Sequence, residues 1–193
     1  NPMHTRRLTA LLLGMWIAGT FFMMSVAIFN LQGVDNLLQA PSPEANQYIK
    51  LLGANSARTF LRHQASELNR FFFDSWELAQ LCLAVAVALA LLFSTNGEKL
   101  YMGAAGLLLL LVIVQHWLIT PHLTAIGKAI DFVPLETPAP ERAQFWRFHN
   151  AYSALEVVKL LLLFGVSGRL LMVRSRRRSR VRKDLDVIND TDD

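Results

Sequence analysis

Glu77, His116, His149 and Glu156 are the residues of this chain best placed to do chemistry. Imidazole and carboxylate ligands suit first-row divalent metals. The same set could hold a haem, or carry a proton together with a substrate. All four fall in or beside strongly apolar stretches, where ionisable groups are rare and turn towards a protein interior. No HxxxH, HExxH, CxxC or Glu-x-x-His pattern accompanies them. Spacing adds to the picture. His149, Ser153, Glu156 and Leu160 fall at i, i+4, i+7 and i+11 and share a helix face, and Asn69, Phe73, Glu77, Gln80 and Ala84 form a comparable stripe. Arg70 lies seven residues before Glu77 and is expected to reach towards it; Lys159 lies three after Glu156 and is expected to pair with it. Two readings follow. In one, Glu77, Arg70, Glu156, Lys159, His116 and His149 form a salt-bridge and hydrogen-bond network that fixes helix packing. In the other, His116, His149, Glu156 and Glu77 bind a metal ion, a haem or a proton-coupled substrate. The network is preferred, because purely structural ion pairs also occupy such positions. His4 reads as a flanking residue, and His63 and His122 as solvent- or interface-facing.

The elements that must position these residues are four apolar runs: 8–29, 76–93, 101–120 and 151–173. Each approaches the roughly 20 apolar residues that cross a bilayer core. The composition agrees, with 53% hydrophobic and 18% charged residues among 193. The fold expected is all-α: an integral membrane four-helix bundle with an extended helical outer loop between spans one and two. The first run is longer than a signal-peptide core of about 7–15 residues, so it reads as an uncleaved span. Arg6 and Arg7 precede span one, Lys99 lies in the turn between spans two and three, and Arg174–Lys183 follows span four. By the positive-inside rule both termini are cytoplasmic. The expected location is a membrane, the inner one in a bacterium. In that topology Glu77, His116 and Glu156 fall at similar depth in the outer half, with His149 at the mouth of span four.

The connection 30–75 is too long for a plain loop. Ser42 or Pro43 can start a helix through Leu52 that Gly53 ends. A second helix beginning near Asn55 or Ser56 meets no Gly or Pro before Gly97, so it should run unbroken into span two. Phe71–Phe73 and Trp76 suit a membrane interface. Thr120-Pro121 ends or bends span three, 123–132 is expected to be a short helix, 134–140 is extended, and 141–148 leads straight into span four. Gly14, Gly19, Gly103 and Gly106 read as small residues for close helix approach. Cys82, the single cysteine, acts as a small hydrophobe.

The tail, 174–193, is basic and then acidic. It reads as a solvated, disordered segment, with contact between Arg174, Arg176, Arg177, Arg178 and anionic lipid as the alternative. Nucleic-acid binding is not expected. Gly-rich phosphate loops, nucleophile elbows and kinase motifs are missing from the chain.

His-Trp-Leu-Ile-Thr-Pro-His-Leu-Thr-Ala at 116–125 and Phe-Trp-Arg-Phe-His-Asn-Ala-Tyr-Ser at 145–153 resemble a family of small four-span membrane proteins whose eukaryotic member is transmembrane protein two hundred and five. The family pattern places an aromatic residue and a proline at the end of span three and Phe-x-x-x-His at the start of span four, here Trp117, Pro121, Phe145 and His149. The similarity covers most of 3–173; the helix 55–75 looks like an expansion, and the tail lies outside the match. The resemblance implies the four-span fold and points to His149. It implies no reaction. The function expected is non-enzymatic: an accessory or scaffold subunit of a larger membrane assembly, with the lipid bilayer and other membrane subunits as partners. The alternative is a metal- or haem-binding protein or small transporter using the His/Glu cluster. An oxidoreductase with a quinone pocket near His116 and Trp117 is the weaker third.

Overall fold

The computed structural model describes residues 2–134 and 137–189, with side chains for 4–134 and 137–172. Among these every regular element is helical: α1 (Pro2–Gln39), α2 (Pro43–Leu52), α3 (Ala54–Thr95), α4 (Lys99–Val114), a π turn (Gln115–Ile119), α5 (Thr120–Ile130) and α6 (Pro140–Asn189). Three helical stretches are long and apolar enough to cross a membrane: His4–Gln39, Ala54–Thr95 and Lys99–Ile130. This is the make-up of an integral membrane protein. The fourth apolar run, 151–173, lies inside α6 and carries Glu156, Lys159 and Arg169.

Local sequence explains each boundary. Ser42 caps α2 by accepting from the Ala45 N–H, Pro43 stands at the first helical position, and Gly53 stops the helix at φ 81°. With no breaker over 42 residues, α3 continues for about 63 Å. It ends at Asn96 and Gly97, both left-handed (φ 52° and 73°), where the Gly97 N–H closes on the Leu92 carbonyl. The chain then reverses into α4. Pro121 has no N–H, and its ring excludes the carbonyl four residues back. The helix absorbs this as a π turn, in which the Thr120 N–H bonds to the Gln115 carbonyl. It then runs on to Ile130 instead of ending at Pro121.

Helix α1 packs on α3, α3 on α4, α4 on α6 and α6 on α1, while α5 lies along α6. The half of this ring nearer the α3–α4 turn holds the apolar core, centred on Leu13, Trp16, Val87, Leu91, Leu108, Val112 and Leu163. Trp76 is partly buried and packs against this core, its indole lying over Gly19. Gly14, Gly103 and Gly106 have open space where a side chain would start, so Gly19 alone of the four glycines makes a close helix approach. The tail also departs from expectation, since α6 continues as helix to Asn189. It meets no Gly or Pro after Gly168, and propagating a helix costs far less than starting one. The side chains of Arg174, Arg176, Arg177 and Arg178 lie outside the described residues.

Candidate functional site

The expected stripe on α3 is real, and Glu77, Gln80 and Ala84 on it are buried. On α6 the buried face is Tyr152, Glu156, Lys159, Leu163, Val166 and Leu170, turned from the predicted one so that Ser153 is exposed. The π turn supplies the third wall. By widening one turn it lets the adjacent residues Gln115 and His116 address two different helices. Gln115 donates to Glu156 Oε1 at 3.2 Å and to the Tyr152 carbonyl at 3.3 Å. His116 Nδ1 lies 3.0 Å from Glu77 Oε2, and the Thr120 hydroxyl donates to Glu77 Oε1 at 2.5 Å.

Lys159 is the centre of the deeper half. It is 1% exposed, donates to Glu156 Oε1 at 2.8 Å and also donates to the Gln80 side-chain carbonyl. Gln80 in turn donates to Glu156 at 3.4 Å. Between the two halves stands the hydroxyl of Tyr152, close enough to both Glu77 and Glu156 to feel their charges, yet without a hydrogen bond of good geometry. Gln115 Oε1 and Glu156 Oε2 are likewise buried without a protein partner. The arrangement can hold charge and hydrogen-bond a small polar guest. Beyond Lys159, towards the other end of the helices, the wall turns apolar at Val87, Leu108 and Leu163.

Of the four predicted site residues, Glu77, His116 and Glu156 join this buried network. His149 does not: it stacks on Phe145 at 5.9 Å and 13° and meets Trp146 edge-on at 5.3 Å. The four ligating groups form no common metal cage. Among the described residues the one set of three metal-competent atoms within 4.8 Å is His63, Glu67 and Asp131. Arg70 already occupies that set, donating to Glu67 at 2.5 Å and to both Asp131 oxygens at 2.8 and 2.9 Å. A cation would have to displace a guanidinium. Arg70 therefore reaches Asp131 rather than Glu77, and His63, part-exposed as expected, also contacts Asp131 at 3.0 Å. Gly127 makes this possible: a methyl there would stand 3.0 Å from the Arg70 guanidinium. His122 stacks on Phe148 at 5.6 Å and donates to the Leu118 carbonyl.

Asp131 carries a pH prediction. Burial pushes its carboxyl up, but the hydrogen bonds from Arg70 and His63 and their charges outweigh this, and it sits below its ordinary value of 3.8. A lowered folded value means that the contribution to stability is complete above the unfolded value and is lost as the pH falls below it. Thermal unfolding of wild type and Asp131→Asn should therefore converge on acidification below about pH 4. A gap that stays constant down to pH 2.5 would rule out the ionised pair as its source.

Comparison with known proteins adds no relative: no family model, no curated protein and no solved structure matches this chain.

Proposed function

We propose that the chain is a non-enzymatic four-span membrane protein, an accessory or scaffold subunit of a larger membrane assembly, with both termini on the cytoplasmic side. The observation that carries this reading is the mutual pairing of the buried charges. Lys159, Glu156 and Gln80 bind one another, and Glu77 is held by His116 and Thr120. Such a network fixes the rotation of three helices and leaves their outer faces for lipid or protein. Those faces are strongly apolar: Phe22, Phe29, Leu11, Phe93 and Leu161 are all well exposed. The run 151–173 serves as the fourth span, tolerating Glu156 and Lys159 because both point inward. The resemblance to the four-span family rests on Trp117, Pro121, Phe145 and His149. All four lie in the π turn or line the cavities beside it.

Topology is tested by reporter fusions. A fusion after Asp193 should report only from the cytoplasmic side, and one inserted at Ser42 only from the opposite side. Activity from the outer face after Asp193 would overturn the four-span arrangement. Function is tested by site-directed photo-crosslinking from Phe22 and Phe93 in membranes, which should give discrete products with one or a few proteins. The alternative, a metal- or haem-binding protein or small transporter, is supported by the unpartnered Gln115, Tyr152 and Glu156 atoms. Stoichiometric metal or a haem spectrum in the purified protein that disappears in Glu156→Gln would decide for it.

A further inference from the structure

A cavity of about 870 Å³ opens between α1, α3, α5 and α6, within the size range of small-molecule sites. It runs from Arg58 to Phe73 along α3, about 22 Å at helical rise. Its apolar walls come from α1, α5 and α6, with Ile28, Leu31, Leu123, Phe145 and Trp146, whereas the α3 wall is mostly polar, with Thr59, Ser66, Asn69 and Arg70 between Phe60 and Phe73. Its floor is the ring of Tyr152, set edge-on to Phe73 at 5.8 Å, with the hydroxyl turned towards Glu77 and Glu156. Partway along, Arg70 is shared by two carboxylates, Glu67 and Asp131, so no positive charge is left over there.

The far end is different. Arg58 and Arg62 both bond to one carboxylate, Asp35, at 3.0 and 3.1 Å, which leaves a surplus positive charge on that wall. Cation at one end and apolar walls to the other fit a molecule of matching polarity.

We propose that this cavity binds one acyl chain carrying an anionic head, the head at Arg62 and Arg58 and the chain between Phe73, Phe145 and Trp146. The site borders the buried network at Tyr152 and Thr120 and does not depend on the scaffold reading. The chemistry is shared by a free fatty acid and by one chain of an anionic phospholipid.

The test uses the full chain in nanodiscs of zwitterionic phosphatidylcholine. Three probes carry the same chain-borne doxyl quencher: a fatty acid, a phosphatidylglycerol and a phosphatidylcholine. Saturable quenching of tryptophan fluorescence by the fatty acid, or by phosphatidylglycerol, is expected, and which one binds identifies the source. The quenching should disappear in Trp146→Phe. Arg62→Gln should weaken binding about tenfold or more without affecting the residual quenching by phosphatidylcholine. Thr124→Phe, which fills the cavity, should abolish binding while the circular dichroism spectrum stays unchanged. If Thr124→Phe fails to fold, Arg62→Gln decides. Equal quenching by all three probes, or anionic binding unchanged in Arg62→Gln, would overturn the proposal and indicate ordinary lipid at an apolar surface.

Discussion

Lys159→Met should destabilise the folded chain by about 3–5 kcal/mol, the range found when one partner of a buried ion pair is removed. Lys159 is 1% exposed and serves Glu156 and Gln80 together. Its loss leaves Glu156 facing Gln80 and Gln115 with no cation near it, in a region where a carboxylate is costly whether it faces lipid or an apolar core. The shape hardly changes, since Met fills much the same space as the Lys stem, so packing does not account for the loss. Removing both charges should be far milder. Glu156→Leu combined with Lys159→Met should recover most of the stability, because a hydrophobic pair of similar volume often matches a buried ion pair. The measurement is thermal or denaturant unfolding in a mild non-ionic micelle. A single-variant loss under about 1 kcal/mol would mean that the network does not fix the packing.

The same experiment separates the two functional readings. If the network only sets helix rotation, the double variant folds and keeps its cross-linking partners. If the unpartnered atoms of Gln115, Tyr152 and Glu156 hold a guest, the double variant folds but loses it.

Helices, their starts and their stops were legible because they depend on neighbours in sequence. Ser42-Pro43, Gly53 and Asn96-Gly97 act over one turn, and α2 and α3 begin and end close to where those residues place them. The Lys159–Glu156 pair was legible for the same reason, at i, i+3 on one helix. Long-range partners were not. Asp131 follows α5 with nothing in its neighbourhood to mark it as the partner of Arg70, 61 residues earlier, a contact that the bare flank of Gly127 permits. Seven-residue spacing favoured Glu77 for that arginine, but Glu77 was taken by His116 and Thr120. Gln115 was not legible because the π turn beside Pro121 widens the helix locally, so that Gln115 meets α6 while His116 meets α3. A proline inside an apolar run, one turn after polar residues, was the available signal.

Gly19→Leu should cost about 3 kcal/mol, the upper end of what overpacking imposes. Helix α1 rests on α3 at this point through the indole of Trp76, which lies so close over Gly19 that even a first side-chain carbon would overlap it. The indole also packs against the core, so moving it aside gives up those contacts. Gly19→Ala should show a smaller loss of the same origin. Gly14→Leu, one and a half turns away with open space at its side-chain position, should stay within about 0.5 kcal/mol of wild type, as surface changes usually do. Trp76→Ala makes room for the leucine, so its combination with Gly19→Leu should lose less than the sum of the two single changes, a coupling expected only of residues in contact. Strict additivity in that cycle, measured by unfolding in micelles, would show that Trp76 does not pack on α1 in the folded protein.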